Sequence, residues 1–85
     1  MITIITKDNC PFCIRAKNLL TQKGVPFISK KIGEDITREE VLEQYPSIRT
    51  VPIIVEDGRL IGGYDQLVEE VNREDSTIGK VQLNG

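Results

Sequence analysis

The sequence predicts a small α/β domain with the element order β-α-β-α-β-β-α. Three observations carry that prediction. A short β-branched run, ITIIT at residues 2–6, precedes a proline and then apolar residues at helical spacing. A capping signature, TREE at residues 37–40, announces a second helix. An Asp57-Gly58 pair then separates two more apolar runs, as in a tight hairpin.

Each element follows from its own residues. Residues 2–6 suit a buried strand, and Asp8-Asn9 turns the chain into a helix whose first position is Pro11, where a missing N–H loses nothing. Cys13, Ala16, Leu19 and Leu20 share one face of that helix, and Gly24 followed by Val25-Pro26 stops it. Residues 26–32 read as a second strand parallel to the first, with the helix as crossover. Gly33 to Ile36 is a loop. Thr37 caps the second helix and Glu40 reaches back, with Ile36 and Val41 placed as a hydrophobic staple. Val41, Leu42 and Tyr45 are expected to face inward, and the helix must end before Pro46. The hairpin joins Ile53–Glu56 to Arg59–Ile61, with Pro52 at or just before the strand start, where a missing donor is tolerated. From Tyr64 a third helix buries Leu67, Val68 and Val71, and residues 75–85 have weak apolar periodicity, as in a flexible tail.

Eighty-five residues make one domain, covering 1–85. No apolar run approaches the ~20 residues that span a bilayer, and the first residues lack the pattern of a secretion signal. A cytoplasmic monomer is the expectation. The formal net charge of −2 argues against general affinity for nucleic acid or anionic membrane. The charge is polarised, however: residues 1–31 hold six basic residues against Asp8 alone, while the rest of the chain is acidic. Either this is a solvated surface, or the cysteine end attracts a small anion.

The only cysteines, Cys10 and Cys13, lie in KDNCPFCIRAK. Two cysteines three residues apart close almost no loop, so a structural staple is a poor reading. A structural zinc site takes four ligands, and the chain has no histidine to help complete one. The same absence removes Cys-His nucleophilic catalysis. Thiol–disulfide chemistry remains, or a metal shared between chains. Position at a strand-to-helix junction favours the first. A helix N-terminus stabilises negative charge and lowers a thiol's proton affinity from its ordinary pKa of about 8.5. Cys10 sits at that end, within reach of solvent, and Lys7 adds positive potential. Cys13 lies one turn further in, on the buried face, placed to attack a mixed disulfide on Cys10.

CPFC at 10–13 with Lys7 before it, TVP at 50–52 and GGYD at 62–65 appear in one order. Over about residues 2 to 74 the chain resembles the dithiol glutaredoxins. The resemblance implies a thioredoxin fold, a four-stranded mixed sheet flanked by three helices. It also implies reduction of protein disulfides and glutathione mixed disulfides, with glutathione as co-substrate and potentials of about −200 to −230 mV. Cys10 matches the nucleophile and Cys13 the resolving thiol. Pro52 matches a cis proline, and Val51, beside Thr50, the residue whose backbone pairs with the cysteinyl part of glutathione. Gly62, Gly63, Tyr64 and Asp65 match the γ-glutamyl site at a helix start, and Lys7 the lysine near the glycyl carboxylate. Phe12 stands where the family usually has tyrosine, keeping an aromatic wall without its hydroxyl. Tyr64 stands where cysteine is common. Arg38 and Arg49 are either surface ion pairs or further carboxylate contacts. Gly62-Gly63 has the alternative of simply ending the hairpin, and Tyr45 and Tyr64 of simply packing. The resemblance makes ribonucleotide reductase one candidate client, and no residue of this chain identifies the client.

Two other readings compete. A thioredoxin-like reductase served by a flavoprotein would have Gly-Pro between its cysteines and would normally carry tryptophan, and this chain has neither. A carrier of a [2Fe–2S] cluster would use Cys10 from two chains and two glutathiones, but such relatives favour glycine after the first cysteine. No metal is expected on the single chain.

Overall fold

A computed structural model describes residues 1–73. Seven elements follow in the expected order: β1 Ile2–Thr6, α1 Pro11–Gln22, β2 Phe27–Lys31, α2 Arg38–Gln44, β3 Ile53–Glu56, β4 Arg59–Gly62 and α3 Tyr64–Asn72. They build one mixed sheet in the order β2-β1-β3-β4. β1 pairs parallel with β2, in the register Ile2 to Phe27. It pairs antiparallel with β3, where Ile4 faces Ile54. β3 and β4 form the hairpin, with a register shift between Ile54 and Val55. The tail at 75–85 lies outside the described residues.

Side chains alternate across a strand, so β1 divides the core in two. Ile2 and Ile4, with Ile54, meet Ala16 and Leu20 of α1 and Leu67 of α3 on one face. Ile5, with Ile53 and Val55, meets Ile36 and Val41 on the other. Ile4, Leu20, Ile54 and Leu67 are wholly buried. The central strands are therefore apolar on both sides, as the adjacent apolar pairs Ile4-Ile5 and Ile53-Ile54 require.

Helix ends are set by the local signals. Thr37 accepts the Glu40 N–H at 3.0 Å, and Glu40 accepts the Thr37 N–H at 2.8 Å, closing the capping box. That second bond, first among the causes, holds the Glu40 carboxyl below its ordinary value. α1 ends at Gln22 with Lys23 as its C-cap, and Gly24 takes a positive φ of 71°. The hairpin turn has φ of 49° at Asp57 and 85° at Gly58, both left-handed, which suits the twist of the paired strands. Leu42 departs from expectation. It is 39% exposed rather than inward, because α2 spans only two turns and rests on the sheet through Val41, one residue earlier. Val68 and Val71 of α3 are half-buried, and Leu67 alone of that helix is fully covered.

Candidate active site

The site begins where β1 hands over to α1. Asn9 adopts a left-handed φ of 57°, which asparagine tolerates better than most residues. Cys10 then takes an extended conformation as the N-cap, and Pro11 opens the helix. Cys13 donates its N–H to Cys10 Sγ at 3.1 Å. The sulfur thus fills the acceptor place that serine or aspartate takes at other helix starts. Cys10 and Cys13 are joined as a disulfide, with Cα atoms 5.2 Å apart.

Cys10 is less open than the sequence suggests. It is 8% exposed, against 2% for Cys13. The segment before β3 folds over it, bringing the Val51 carbonyl oxygen to 3.9 Å from Cys10 Sγ. The Val51–Pro52 bond is cis. What access remains to Cys10 comes through a groove of about 510 Å³. Lys7, Arg38, Arg49, Thr50 and Val51 line it, over an apolar floor that includes Ile48 and Ile53. A second groove of about 430 Å³ adjoins it, lined by Phe12, Thr50, Val51, Pro52, Gly63, Tyr64, Asp65 and Gln66. Thr50 and Val51 belong to both. Lys7, Cys10, Phe12, Arg38, Arg49, Thr50, Val51, Pro52, Gly63, Tyr64 and Asp65 therefore line one groove or the other, whereas Gly62 and Tyr45 line neither and Cys13 sits behind Cys10.

Charge is arranged to suit an anion in the first groove. Lys7, Arg38 and Arg49 are exposed, and none of them forms an ion pair among the described residues. Asp8, the one acidic residue close by in sequence, is instead held by Lys31 Nζ at 3.0 Å. The hydrogen bond to Asp8, then that to Glu34, raises the Lys31 ammonium above its ordinary pKa. In the second groove the N-cap of α3 is Gly63, which has no side chain to occupy the helix start. Its own N–H is taken by Gln66 Oε1 at 2.9 Å, leaving the first-turn N–H groups facing outward without a capping side chain. The Phe12 and Tyr64 rings stand 5.7 Å apart as that groove's aromatic wall.

Gln66 and Ile48 are among the lining residues that sequence reasoning did not place in the site. Gln66 carries a readable signal, since it stands three residues after its N-cap as in a capping box. Ile48 carries none, because only the return of the chain toward β3 brings it into the groove that Cys10 lines. Among the described residues no group of three or more histidine, cysteine, aspartate or glutamate side chains converges as a metal site. No helix there is long and apolar enough to cross a membrane.

A Cys-x-x-Cys disulfide at the start of the first helix, facing the X-Pro bond before β3 of this four-stranded sheet, defines the thiol–disulfide oxidoreductases of the thioredoxin fold. Comparison with known proteins narrows the class. The Glutaredoxin family model matches residues 2–61, and the chain belongs to the glutaredoxin family. A probable glutaredoxin of Synechocystis is 49% identical over 67 residues, 78% of this chain but only 62% of that protein. Glutaredoxin 3 of Escherichia coli K12 is 41% identical over 66 residues, covering 78% of this chain and 80% of the other. Among solved structures, a buckwheat glutaredoxin–glutathione complex superimposes with a TM-score of 0.70 at 27% identity, covering 81% of this chain and 66% of the other.

Proposed function

We propose that this chain reduces glutathione mixed disulfides and protein disulfides, with glutathione as co-substrate. One observation carries the reading. The sulfur capped by the Cys13 N–H opens on the first groove, and the second adjoins that groove at Thr50 and Val51. Glutathione is an extended tripeptide with a carboxylate at each end and its thiol between. Lys7, with Arg49 near it, suits the glycyl carboxylate, and the open start of α3 at Gly63, Tyr64 and Asp65 suits the γ-glutamyl one. The Val51 backbone beside Cys10 suits the cysteinyl unit. A structural relative described as a glutathione complex supports the same assignment.

In this reading Cys10 thiolate attacks the glutathione sulfur of a mixed disulfide and the client thiolate leaves. A second glutathione thiolate then attacks the adduct, and glutathione disulfide departs. With a protein disulfide, Cys10 thiolate attacks one client sulfur and the other leaves as thiolate; Cys13 then attacks Cys10 Sγ, frees the second client thiol and closes the internal disulfide, which two glutathiones reopen. Such a cycle runs in a reducing, cytoplasmic setting. Glutathione-dependent turnover of a small mixed disulfide tests it. Cys10→Ser abolishes the activity, and Cys13→Ser keeps most of it. A wild-type chain inert toward glutathione sinks the proposal.

A further inference from the structure

The start of α1 carries an apolar shoulder that the fold does not use. Phe12 is 50% and Ile14 57% exposed, and Pro11 beside them is exposed too. Ile14 belongs to neither core cluster and lines neither groove. Its N–H donates to the Cys10 carbonyl at 3.2 Å, so it stands within one turn of the disulfide. Arg15 lies over the Phe12 ring, its guanidinium carbon 5.2 Å from the centroid, which gives the shoulder a positive rim. α1 contains no acidic residue, and the charge of Asp8 is engaged by Lys31.

We propose that this shoulder docks the protein part of a client disulfide, preferring a cysteine flanked by an apolar residue and then by acidic ones. The proposal rests on Cys10 being the attacking thiol. Because Cys10 is 8% exposed, a client sulfur must enter the groove mouth, which brings its neighbours across the start of α1. An apolar neighbour covers Ile14 and Phe12, and a carboxylate beyond it meets Arg15.

The test uses the full chain, reduced beforehand, and two peptides whose single cysteine is disulfide-bonded to 5-thio-2-nitrobenzoate. One peptide has leucine before the cysteine and two glutamates after it; the other has serine and two lysines. Cys10 thiolate attacks the peptide sulfur, and the coloured thiolate leaves with the electron pair of the broken bond. Cys13 then gives its proton to solvent and attacks Cys10 Sγ, and the peptide leaves as a thiol. The protein dithiol is oxidised by two electrons and the peptide disulfide is reduced. At low ionic strength colour release is expected to be at least about fivefold faster with the acidic peptide. Arg15→Glu reverses the preference, and Ile14→Ala weakens it while leaving the reaction with a neutral hydroxyethyl disulfide within about twofold. Equal rates for the two peptides, or a preference untouched by both substitutions, overturns the proposal. No glutathione enters the assay, so these outcomes are separate from failure of the glutathione site. Absence of reaction with either peptide would remove the attacking thiol and the docking shoulder together.

Discussion

Gly62 closes β4 with φ of 130°, a conformation that L side chains rarely adopt. A Cβ added there would lie 2.8 Å from Gln66 Cγ and 3.0 Å from both its Cβ and Oε1. Rotation of Gln66 can relieve the first contact, but only by withdrawing Oε1 from the Gly63 N–H it caps at 2.9 Å. The contact with Gln66 Cβ cannot be rotated away. Gly62→Ala therefore combines backbone strain of about 1–3 kcal/mol with a lost hydrogen bond of about 0.5–1.5 kcal/mol. The sum is about 2–4 kcal/mol, a large share of what a domain this small commands. Urea unfolding should show the midpoint falling by roughly 1–4 M at an m-value of about 1–2 kcal/mol/M. Gly58→Ala is the control: φ is 85° but nothing lies within 4 Å of the added carbon, so only about 1–2 kcal/mol is expected. Gln66→Ala combined with Gly62→Ala should cost less than the two single changes added together, because the cap is then lost once rather than twice. A Gly62→Ala protein no less stable than Gly58→Ala, with strictly additive behaviour toward Gln66→Ala, refutes this account of the turn.

Three further outcomes are expected. Arg49→Ala should raise KM for a glutathione mixed disulfide roughly two- to fivefold with kcat little changed, the size of one exposed ion pair, and the difference should fade with added salt in steady-state assays. Glu40 has a folded pKa below its unfolded one, so its contribution is complete above the unfolded value and is lost as pH falls through the folded one. Urea midpoints followed into acid should therefore decline less steeply in Glu40→Gln than in wild type, and Thr37→Ala should cost about 1 kcal/mol near neutral pH. Leu20→Ala, at a wholly buried position between the helices and the sheet, should cost about 3–5 kcal/mol by the same unfolding measurement.

Local chemistry explains why so much of the fold was readable from the sequence. Pro11, the Thr37–Glu40 box and Asp57-Gly58 act within four residues of chain, so their signals survive without tertiary context. Leu42 was misread because α2 is too short to fix its facing by periodicity, and contact with the sheet chose Val41 instead. The covering of Cys10 is a long-range matter, since Val51 approaches it from 41 residues away. Arg38 and Arg49 had two readings until the chain before β3 returned beside Cys10 and placed both in one groove. The motifs indicated which residues matter, and the packing decided how they share the space.

The N-cap of α1 has a consequence for the whole redox cycle. The Cys13 N–H, which also reaches the Cys10 carbonyl oxygen at 3.1 Å, is held by the same sulfur that exchanges bonds in the proposed cycle. A thiolate, a mixed disulfide and an internal disulfide all leave that sulfur with lone pairs, so no step orphans the backbone donor. A serine or aspartate cap beside a separate reactive thiol would need two groups crowded at one helix end. Here the first turn of the helix keeps a sulfur acceptor for its Cys13 N–H whatever covalent partner that sulfur holds.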